Sequence, residues 1–260
     1  MNYICLTKRI HMARYFLRIE YNGTKYHGWQ LQKNASTVQV EINRVVSILA
    51  GQEINVTGCG RTDTGVHARD FYAHFDLEEV NKSPGISALK LSKMLPPDIV
   101  VTDVLPVVPD AHARFSAVSR TYKYYIARRK DPFMQEFAWL FHGKLNMEVI
   151  LKGTEIIQET EDFTSFSKAS PDTKTGICRI LNAHWEQKDH LLVFTITADR
   201  FLRNMVRAIT GTLIEMGKKR FDGTELHRII AAKERSRAGL SVPAKGLFLH
   251  EVNYPEDIFL

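Results

Sequence analysis

The sequence has little cysteine, no long apolar run and none of the common cofactor motifs. Its three cysteines are widely separated and form no C-x-x-C pair, which argues against a disulfide framework and a cysteine-based zinc site. The apolar runs are far shorter than the roughly 20 residues that cross a bilayer. Met1 to Arg14 lacks the apolar stretch of a signal peptide. We therefore expect a cytoplasmic protein with no membrane partner.

Phosphate-loop and helical metal-site patterns are also missing. No segment matches G-x-x-x-x-G-K-S/T, and no two histidines have the spacing of a metal site on a helix. A metal site built from Asp63, His67, His74 and His112 stays open as an alternative, although scattered histidines are more often core or surface residues. The expectation is an absence of both metal and cofactor.

Basic residues exceed acidic ones modestly, so their distribution matters more than their sum. The chain has 35 Lys and Arg against 29 Asp and Glu, a net charge of +6. Two stretches, Arg114 to Lys130 and Arg200 to Arg220, concentrate basic residues and interleave them with aromatic ones. Cations that meet phosphates, beside rings that stack on bases, are what a nucleic-acid surface needs. Each stretch alone is typical of a solvated face, but together they favour a nucleic-acid partner.

Local patterns locate the secondary structure. Alternation from Tyr15 to Tyr21 predicts a half-buried strand, and Ser36–Gln39 has the pattern of a capping box that opens a helix ending at Gly51. Apolar residues at helical spacing from Leu202 to Met216 predict another helix, which ends at Gly217. Further strands are predicted at Ile54–Cys59, Phe71–Phe75, Ile99–Val108, Thr121–Ala127, Ile177–Glu186, Leu191–Ala198 and Leu247–Val252, and further helices from Ser83, Asn146 and Thr224.

Strands and helices mix in two halves of similar size. This order predicts an α+β fold of two halves, each a mainly antiparallel sheet covered by helices. The predicted divisions are an N-terminal extension at residues 1–12, an N-terminal domain at 13–117 and a C-terminal domain at 118–260.

The segment Gly58–Ala68, Gly-Cys-Gly-Arg-Thr-Asp-Thr-Gly-Val-His-Ala, is the most informative stretch. Its three glycines permit positive φ and a close approach of the backbone to a ligand. Arg61 beside Asp63 favours the ionised carboxylate, which suits nucleophilic or electrostatic chemistry rather than proton donation near neutrality. The alternative is an Asx-turn, in which Asp63 bonds nearby backbone amides and Arg61 only pairs with it. The residue types alone leave both interpretations open.

Two further sets of side chains have the chemistry of an RNA contact. Along one predicted strand, Tyr122 and Tyr124 share a face and Lys123 lies on the other. A ring on a strand can stack on an unstacked base, whereas the structural alternative is a pair of core tyrosines. Arg203 and Arg207, four apart on the predicted helix, would clamp a phosphate if they face a cleft. Otherwise they form a solvated helix edge.

Taken in order, these motifs resemble the tRNA pseudouridine synthase A family. The resemblance extends from about Ala13 to Tyr254, and its strongest element is Gly60–Ala68, where the family typically has Ala in place of Thr64. The other matching elements are Tyr21–Gln30, His112–Ser116, Arg120–Tyr124, Asp162–Phe166, Phe201–Arg207 and Gly246–Leu249. Seven elements in the family's order are far more specific than any single motif.

The resemblance implies a role for each matching residue. Asp63 would be the catalytic aspartate, Arg61 the arginine that pairs with it and helps to open the RNA stem, and Arg207 its basic partner. Tyr122 would stack on the target base, and Leu247 would form an apolar wall of the pocket. The predicted substrate-binding set is completed by Arg120, Lys123 and Arg203.

The resemblance also implies a reaction and its partners. Similar enzymes isomerise uridine to pseudouridine at positions 38, 39 and 40 of the tRNA anticodon stem-loop, without cofactor or metal. They are homodimers whose basic clefts, each between two α+β halves, hold the RNA across both subunits. The target base must leave its stack before the carboxylate reaches it. Whether that carboxylate attacks the sugar or takes the C2′ proton in a glycal route is left open by the sequence.

Two other functions remain as alternatives. A catalytically silent RNA-binding protein of the same fold would use the same basic and aromatic surfaces, but it has no need of Asp63 beside phosphates. A metal-dependent hydrolase would need the aspartate and histidine site considered above.

Overall fold

The computed structural model describes residues 12–78, 85–168 and 174–260. Strands and α-helices are interspersed along these ranges, and the predicted N-terminal extension lies outside them except for Met12. The strands are β1 Met12–Tyr21, β2 Thr57–Gly58, β3 His67–Glu78, β4 Ile99–Val107, β5 Ser119–Ala127, β6 Trp139–Leu140, β7 Ile180–Lys188, β8 Leu191–Ala198 and β9 Leu247–Asn253. The helices are α1 Val38–Ala50, α2 Ala88–Met94, α3 Met147–Glu159, α4 Met205–Gly217 and α5 Gly223–Ala232.

These strands belong to one sheet rather than to a separate sheet in each half. Seven of them run in the order β4-β1-β3-β9-β5-β8-β7, with β2 added to β3 and β6 to β5. Neighbours are antiparallel except in the pairs β3–β9 and β5–β6. The β3–β9 pairing joins His67 to Phe248 and Ala68 to Leu249. The mainly antiparallel α+β prediction is confirmed, and the prediction of two sheets is corrected, because the C-terminal strand β9 connects both sets of strands.

The buried apolar side chains form two clusters. One includes Phe71 and packs between α1 and the strands β1, β3 and β4; the other includes Phe194 and packs beneath α3, α4 and α5. Tyr122 is partly buried against both clusters. Ile258, near the C-terminus, belongs to the first cluster. Ile258 follows the predicted boundary after residue 117 but packs with the first cluster, so that boundary does not completely separate the two clusters.

The start of α1 differs from the predicted capping box. Its N-cap is Thr37, whose side chain makes no capping hydrogen bond. Gln39, the expected reciprocal partner, instead accepts from Leu31 N at 2.9 Å and donates to Val56 O at 2.8 Å. The glutamine side chain thus ties neighbouring loops to the helix.

The strand predicted at Ile54–Cys59 is reduced to the two residues of β2. Ile54 N donates to Ser47 Oγ at 2.8 Å, and Val56 N donates to Asn43 Oδ1 at 3.0 Å. Side chains of α1 therefore satisfy the backbone donors that a strand would have used in a ladder.

Helix α4 begins later than its apolar pattern predicts. Its N-cap, Asn204, has φ 67°, a left-handed conformation that stops the helix from extending toward Leu202. Arg203 therefore precedes the helix, and the prediction that Arg203 and Arg207 share a helix face is wrong. In the second predicted helix, which would begin at Ser83, the first residues lie outside the described ranges, and α2 follows Ser87 as N-cap.

No helix within the described ranges is long and apolar enough to cross a membrane.

Candidate active site

Two glycine-containing loops pack against each other and position Asp63. The segment after β1, residues 22–29, packs its backbone against the glycine-rich loop between β2 and β3, residues 59–66. Trp29 N donates to Thr62 O at 3.3 Å. Gly28 has φ +88°, and a Cβ at this position would lie 2.3 Å from Thr62 O. Only glycine permits this approach, which fixes the backbone of the glycine-rich loop.

Asp63, in the glycine-rich loop, forms an ion pair with an arginine of α4. Arg207 Nη1 donates to Asp63 Oδ2 at 3.1 Å, and the two side chains are 20% and 26% exposed. Arg207 Nε also donates to Val242 O at 2.8 Å, which fixes the guanidinium. The Asx-turn alternative predicts bonding to nearby amides, whereas this partner is 144 residues away in the chain. Arg61 lines the same cavity as Asp63.

The ion pair opens onto a cavity of about 1090 Å³. This is as large as the upper range of small-molecule sites, so it has room for a nucleotide. The acidic side chains in its lining are Asp63 and Asp199. Four of the arginines predicted as site residues line it as well: Arg61, Arg120, Arg203 and Arg207. A concave surface with this excess of cations favours a polyanionic ligand.

Tyr122 and Leu247 form part of the apolar wall of the cavity. The Tyr122 ring meets the Phe201 ring edge-on, with 5.0 Å between centroids. Burial raises the pKa of the Tyr122 hydroxyl, so the ring stays neutral. Tyr124 is fully buried instead, and its hydroxyl donates to Pro243 O at 2.8 Å. The core alternative therefore holds for Tyr124, while Tyr122 is available to a ligand.

Arg120 bonds protein carbonyls at the cavity wall. Its Nη1 donates to Ala117 O at 3.0 Å and to Asp199 O at 2.8 Å, and its Nη2 donates to the carbonyls of Arg114 and Cys59. These bonds use four of the five guanidinium N–H groups. Arg120 thus ties separate segments of the wall together, and its direct contact with RNA stays a prediction.

The last two predicted substrate-binding residues lie in different places. Arg203 is exposed at the cavity. Lys123 is half-buried in β5 and is not among the residues that line the cavity. Because side chains alternate along a strand, Lys123 and its neighbour Tyr122 point to opposite faces of the sheet. The structure does not bring Lys123 to the other predicted residues.

Two histidines hold the loop that carries the Arg114–Phe115 part of the wall. His74 Nδ1 accepts from Ala113 N at 3.1 Å, and His112 Nδ1 accepts from Arg114 N at 3.1 Å and Phe115 N at 3.3 Å. Burial lowers the pKa of both imidazoles, that of His74 to about 4. In the ranges that the structure describes, no three His, Cys, Asp or Glu side chains are grouped to hold a metal ion.

We expect the folded state to lose stability as the pH falls from about 6.5 to about 4. His74 stays neutral in the fold because it is buried and faces His112 and Arg14, although Asp76 opposes this effect. As the pH falls, the unfolded chain protonates this histidine before the folded chain does. The contribution of neutral His74 to stability is therefore complete above the unfolded pKa and is lost by the folded pKa. The lowering of the His74 pKa from 6.5 to about 4 corresponds to a loss of unfolding free energy on the order of 3 kcal/mol.

Urea unfolding of the wild type and of His74→Asn between pH 7.5 and pH 4.5 tests this expectation. Asparagine keeps an acceptor near the Ala113 amide but does not titrate in this range. The free energy of unfolding should fall less steeply in the variant. Equal slopes in the two proteins would rule out His74 as the group responsible.

Sequence reasoning missed several residues of the cavity. Phe115 and Arg200 lie in the basic and aromatic stretches and line the cavity, so their composition carried a signal. Lys168, Lys174 and Asn204 also line it. Asn204 lies within the element Phe201–Arg207 but had no predicted role. Nothing in the local pattern distinguished Lys168 and Lys174 from ordinary surface residues, since only folding brings them to the cavity.

Known proteins resemble this chain over nearly its whole length. A sequence model of a family described as tRNA pseudouridine synthase matches residues 160–255. A Parabacteroides distasonis protein named tRNA pseudouridine synthase A is 48% identical over 95% of this chain and 98% of its own. Proteins of the same name from Bacteroides thetaiotaomicron and Porphyromonas gingivalis are 48% and 46% identical, over 95% and 96% of this chain and 93% and 100% of their own. The chain therefore belongs to the tRNA pseudouridine synthase A family.

Proposed function

We propose that the chain isomerises uridine to pseudouridine at positions 38, 39 and 40 of the tRNA anticodon stem-loop, with Asp63 as the reacting carboxylate. Membership of the family supports a tRNA-modifying isomerase. The observation that carries the role of Asp63 is its ion pair with Arg207 at the wall of a cationic cavity. The ion pair places a carboxylate oxygen at the wall of a cavity whose positive charge attracts an RNA backbone.

The proposed reaction is a rearrangement that consumes no oxidant, reductant or water. The C1′–N1 bond of uridine breaks, the uracil turns, C5 bonds C1′, and the C5 proton is lost while N1 gains one. Asp63 either attacks C1′ and leaves when C5 returns, or takes the C2′ proton and gives it back through a glycal. A carboxylate serves both routes. No cofactor or metal is needed for either.

Access to Asp63 requires that the target base leave its stack, which costs a few kcal/mol. Tyr122 offsets this cost, because stacking of a base on an aromatic ring contributes about 1–3 kcal/mol. Leu247 adds apolar surface against the uracil. Arg61 and Arg203 bind phosphates beside the target nucleotide, so affinity for the stem-loop should fall steeply with salt.

The proposed partners are tRNA and a second copy of the chain. The protein acts as a homodimer in the cytoplasm, with tRNA as its partner, and Lys123 contacts RNA outside the cavity described above. The dimer and its shared cleft rest on the resemblance to the family alone. Light scattering of the purified chain measures the oligomeric state directly.

Incubation of the purified chain with an anticodon stem-loop transcript tests the proposed function. The products are digested to nucleosides and pseudouridine is quantified by mass spectrometry after chemical derivatisation. Formation of pseudouridine at the target positions is expected. Tight binding without product would favour the silent RNA-binding alternative, and loss of activity with a chelator would favour a metal-dependent enzyme.

An exposed ring at the cavity provides a test of RNA stacking. Phe115 lines the cavity with 76% of its surface exposed, and its ring lies 4.4 Å from the His112 ring and 5.5 Å from the Arg114 guanidinium. We expect Phe115→Ala to weaken stem-loop binding by about 5- to 100-fold, the loss of one stacked base. Fluorescence anisotropy of a labelled stem-loop measures this change.

Phe133 is the matched control for Phe115. It is 86% exposed but does not line the cavity. Phe133→Ala should bind the stem-loop like the wild type. If both alanine variants bind equally well, stacking on Phe115 is excluded.

A further inference from the structure

His67 lies at the start of β3, four residues after Asp63, and does not line the cavity. Only 1% of this residue is exposed. Its ring stacks on the Phe248 ring, with 4.5 Å between centroids, and meets the Phe137 ring edge-on at 5.3 Å. A polar ring buried among aromatic side chains needs hydrogen-bond partners for its nitrogens.

Both imidazole nitrogens of His67 bond backbone groups of other segments. Gly23 N donates to Nδ1 at 3.1 Å, and Nε2 lies 3.1 Å from Lys245 O. A backbone N–H only donates and a carbonyl oxygen only accepts, so Nδ1 is unprotonated and Nε2 carries the proton. Turning the ring over would place carbon atoms at both contacts. Burial lowers the pKa of the His67 imidazole, although backbone bonds to Lys245 and Glu136 oppose this effect.

The contact with Lys245 attaches His67 to the segment that holds Arg207. In this anchor segment, residues 242–246, Val242 N donates to Arg207 O at 3.2 Å. Val242 O accepts from Arg207 Nε at 2.8 Å. The anchor segment therefore fixes both the backbone and the guanidinium of the arginine that pairs with the catalytic loop.

On its other side, His67 continues the turn that carries Asp63. Val66 N donates to Asp63 O at 3.1 Å, which closes this turn directly before His67. The glycine within the turn has φ +77°, and a Cβ there would lie 3.5 Å from Ala244 Cβ, so the turn lies close to the anchor segment. His67 thus joins the two parts of the chain that carry the 3.1 Å ion pair between Asp63 and Arg207.

We propose that His67 is a positioning residue, which sets the geometry of the Asp63–Arg207 ion pair. Its hydrogen bond to Lys245 O holds the anchor segment against the turn. Without this bond the anchor segment shifts, and a displacement of about 1 Å near a reacting group lowers a rate by about 100-fold. The bond from Gly23 holds the segment after β1, which carries no reacting group. The inference rests on the proposed function.

His67→Asn and His67→Gln separate the two hydrogen bonds. The asparagine oxygen takes the place of Nδ1 and keeps the bond from Gly23, whereas the glutamine nitrogen reaches the place of Nε2 and keeps the bond to Lys245 O. We expect the single-turnover rate constant to fall about 10- to 100-fold in His67→Asn and to stay within about fivefold of the wild type in His67→Gln. Stem-loop affinity should change less than about twofold in both, because phosphate contacts dominate it.

The rate constant is measured with enzyme in saturating excess over RNA, at a temperature where circular dichroism shows each variant to be folded. A smaller folded fraction then leaves the rate constant unchanged, so a merely structural role of His67 would not lower it. His184→Asn is the control. His184 bonds Asn182 and Glu186 of its own strand, β7, and lies outside the cavity lining, so this variant should match the wild type.

A double variant tests the route through Arg207. In Arg207→Ala the side-chain bond to Val242 is already lost, so the addition of His67→Asn should lower the rate constant by less than about threefold. A further loss as large as in the wild-type background would show that His67 does not act through Arg207, which would overturn the proposal.

Two other results would also overturn the proposal. One is an unchanged rate constant in His67→Asn, and the other is an equal loss in His67→Asn and His67→Gln. If His67→Asn does not fold, His67→Gln decides alone, since a loss of more than about tenfold contradicts the role of the bond to Lys245. A wild-type chain that converts no uridine would instead refute the proposed function, so the two failures are distinguishable.

Discussion

Asp63→Asn is expected to lower pseudouridine formation by at least about 1000-fold, as removal of a reacting carboxylate usually does. The amide is nearly isosteric, can still accept a hydrogen bond from Arg207, and neither attacks C1′ nor takes the C2′ proton. Binding of the stem-loop should stay within a few-fold of the wild type, since the cations that hold phosphates are unchanged. Single-turnover conversion and anisotropy measure the two quantities on the same RNA.

Asp199→Asn is the matched control, because Asp199 is the other acidic residue lining the cavity. Its Oδ1 accepts from Arg179 N at 2.9 Å and from Arg200 N at 2.6 Å, and asparagine keeps this acceptor. This variant should retain activity within about tenfold. Full turnover by Asp63→Asn would refute the role assigned to Asp63, whatever the control does.

Arg207→Ala is expected to produce the second largest effect, a fall in kcat of about 100-fold or more. The change removes both the contact with Asp63 and the anchor on Val242, so the carboxylate loses the cation that orients it. Leaving an unpaired charge destabilises a fully buried pair by about 3–5 kcal/mol. The loss here should be smaller, about 1–3 kcal/mol, because both side chains are partly exposed. Thermal unfolding and single-turnover kinetics separate the two effects.

Arg203→Ala provides the comparison within the same cavity. Arg203 is exposed there, and no ion pair between it and Asp63 is described. Its removal should weaken RNA binding and reduce the salt dependence of binding, with kcat nearly unchanged. If Arg207→Ala and Arg203→Ala lower affinity and kcat in the same proportions, Arg207 acts as another phosphate ligand rather than as the partner of Asp63.

Much of the local structure followed from the residues alone. Alternation predicted β1, and the helix expected from Asn146 is α3, with the Asn146 side chain accepting from Val149 N at its start. These features depend on nearest-neighbour sterics and on caps within one turn. The start of α4 could not be read in this way, because its apolar spacing continues back to Leu202 and only the left-handed Asn204 ends it.

The site was predictable in part. The glycine-rich loop identified Asp63, and Arg61 was the cation beside it in the sequence. Arg207 entered through the family resemblance, and its 3.1 Å contact with Asp63 depends on α4 packing against the loop. Lys123 shared the motif of Tyr122 but lies outside the cavity lining, because one residue along a strand changes the face of the sheet.

The sequence by itself determined the family, the α+β class and the residue types that the proposed chemistry needs, since ordered motifs and short-range periodicity are carried by neighbouring residues. Only the tertiary structure decided that one sheet replaces two, that β9 joins β3 to β5, and that Arg207 of α4 contacts Asp63. These features depend on strand register and on contacts between distant segments. Local patterns contain no information about either, because both are set by how the whole core packs.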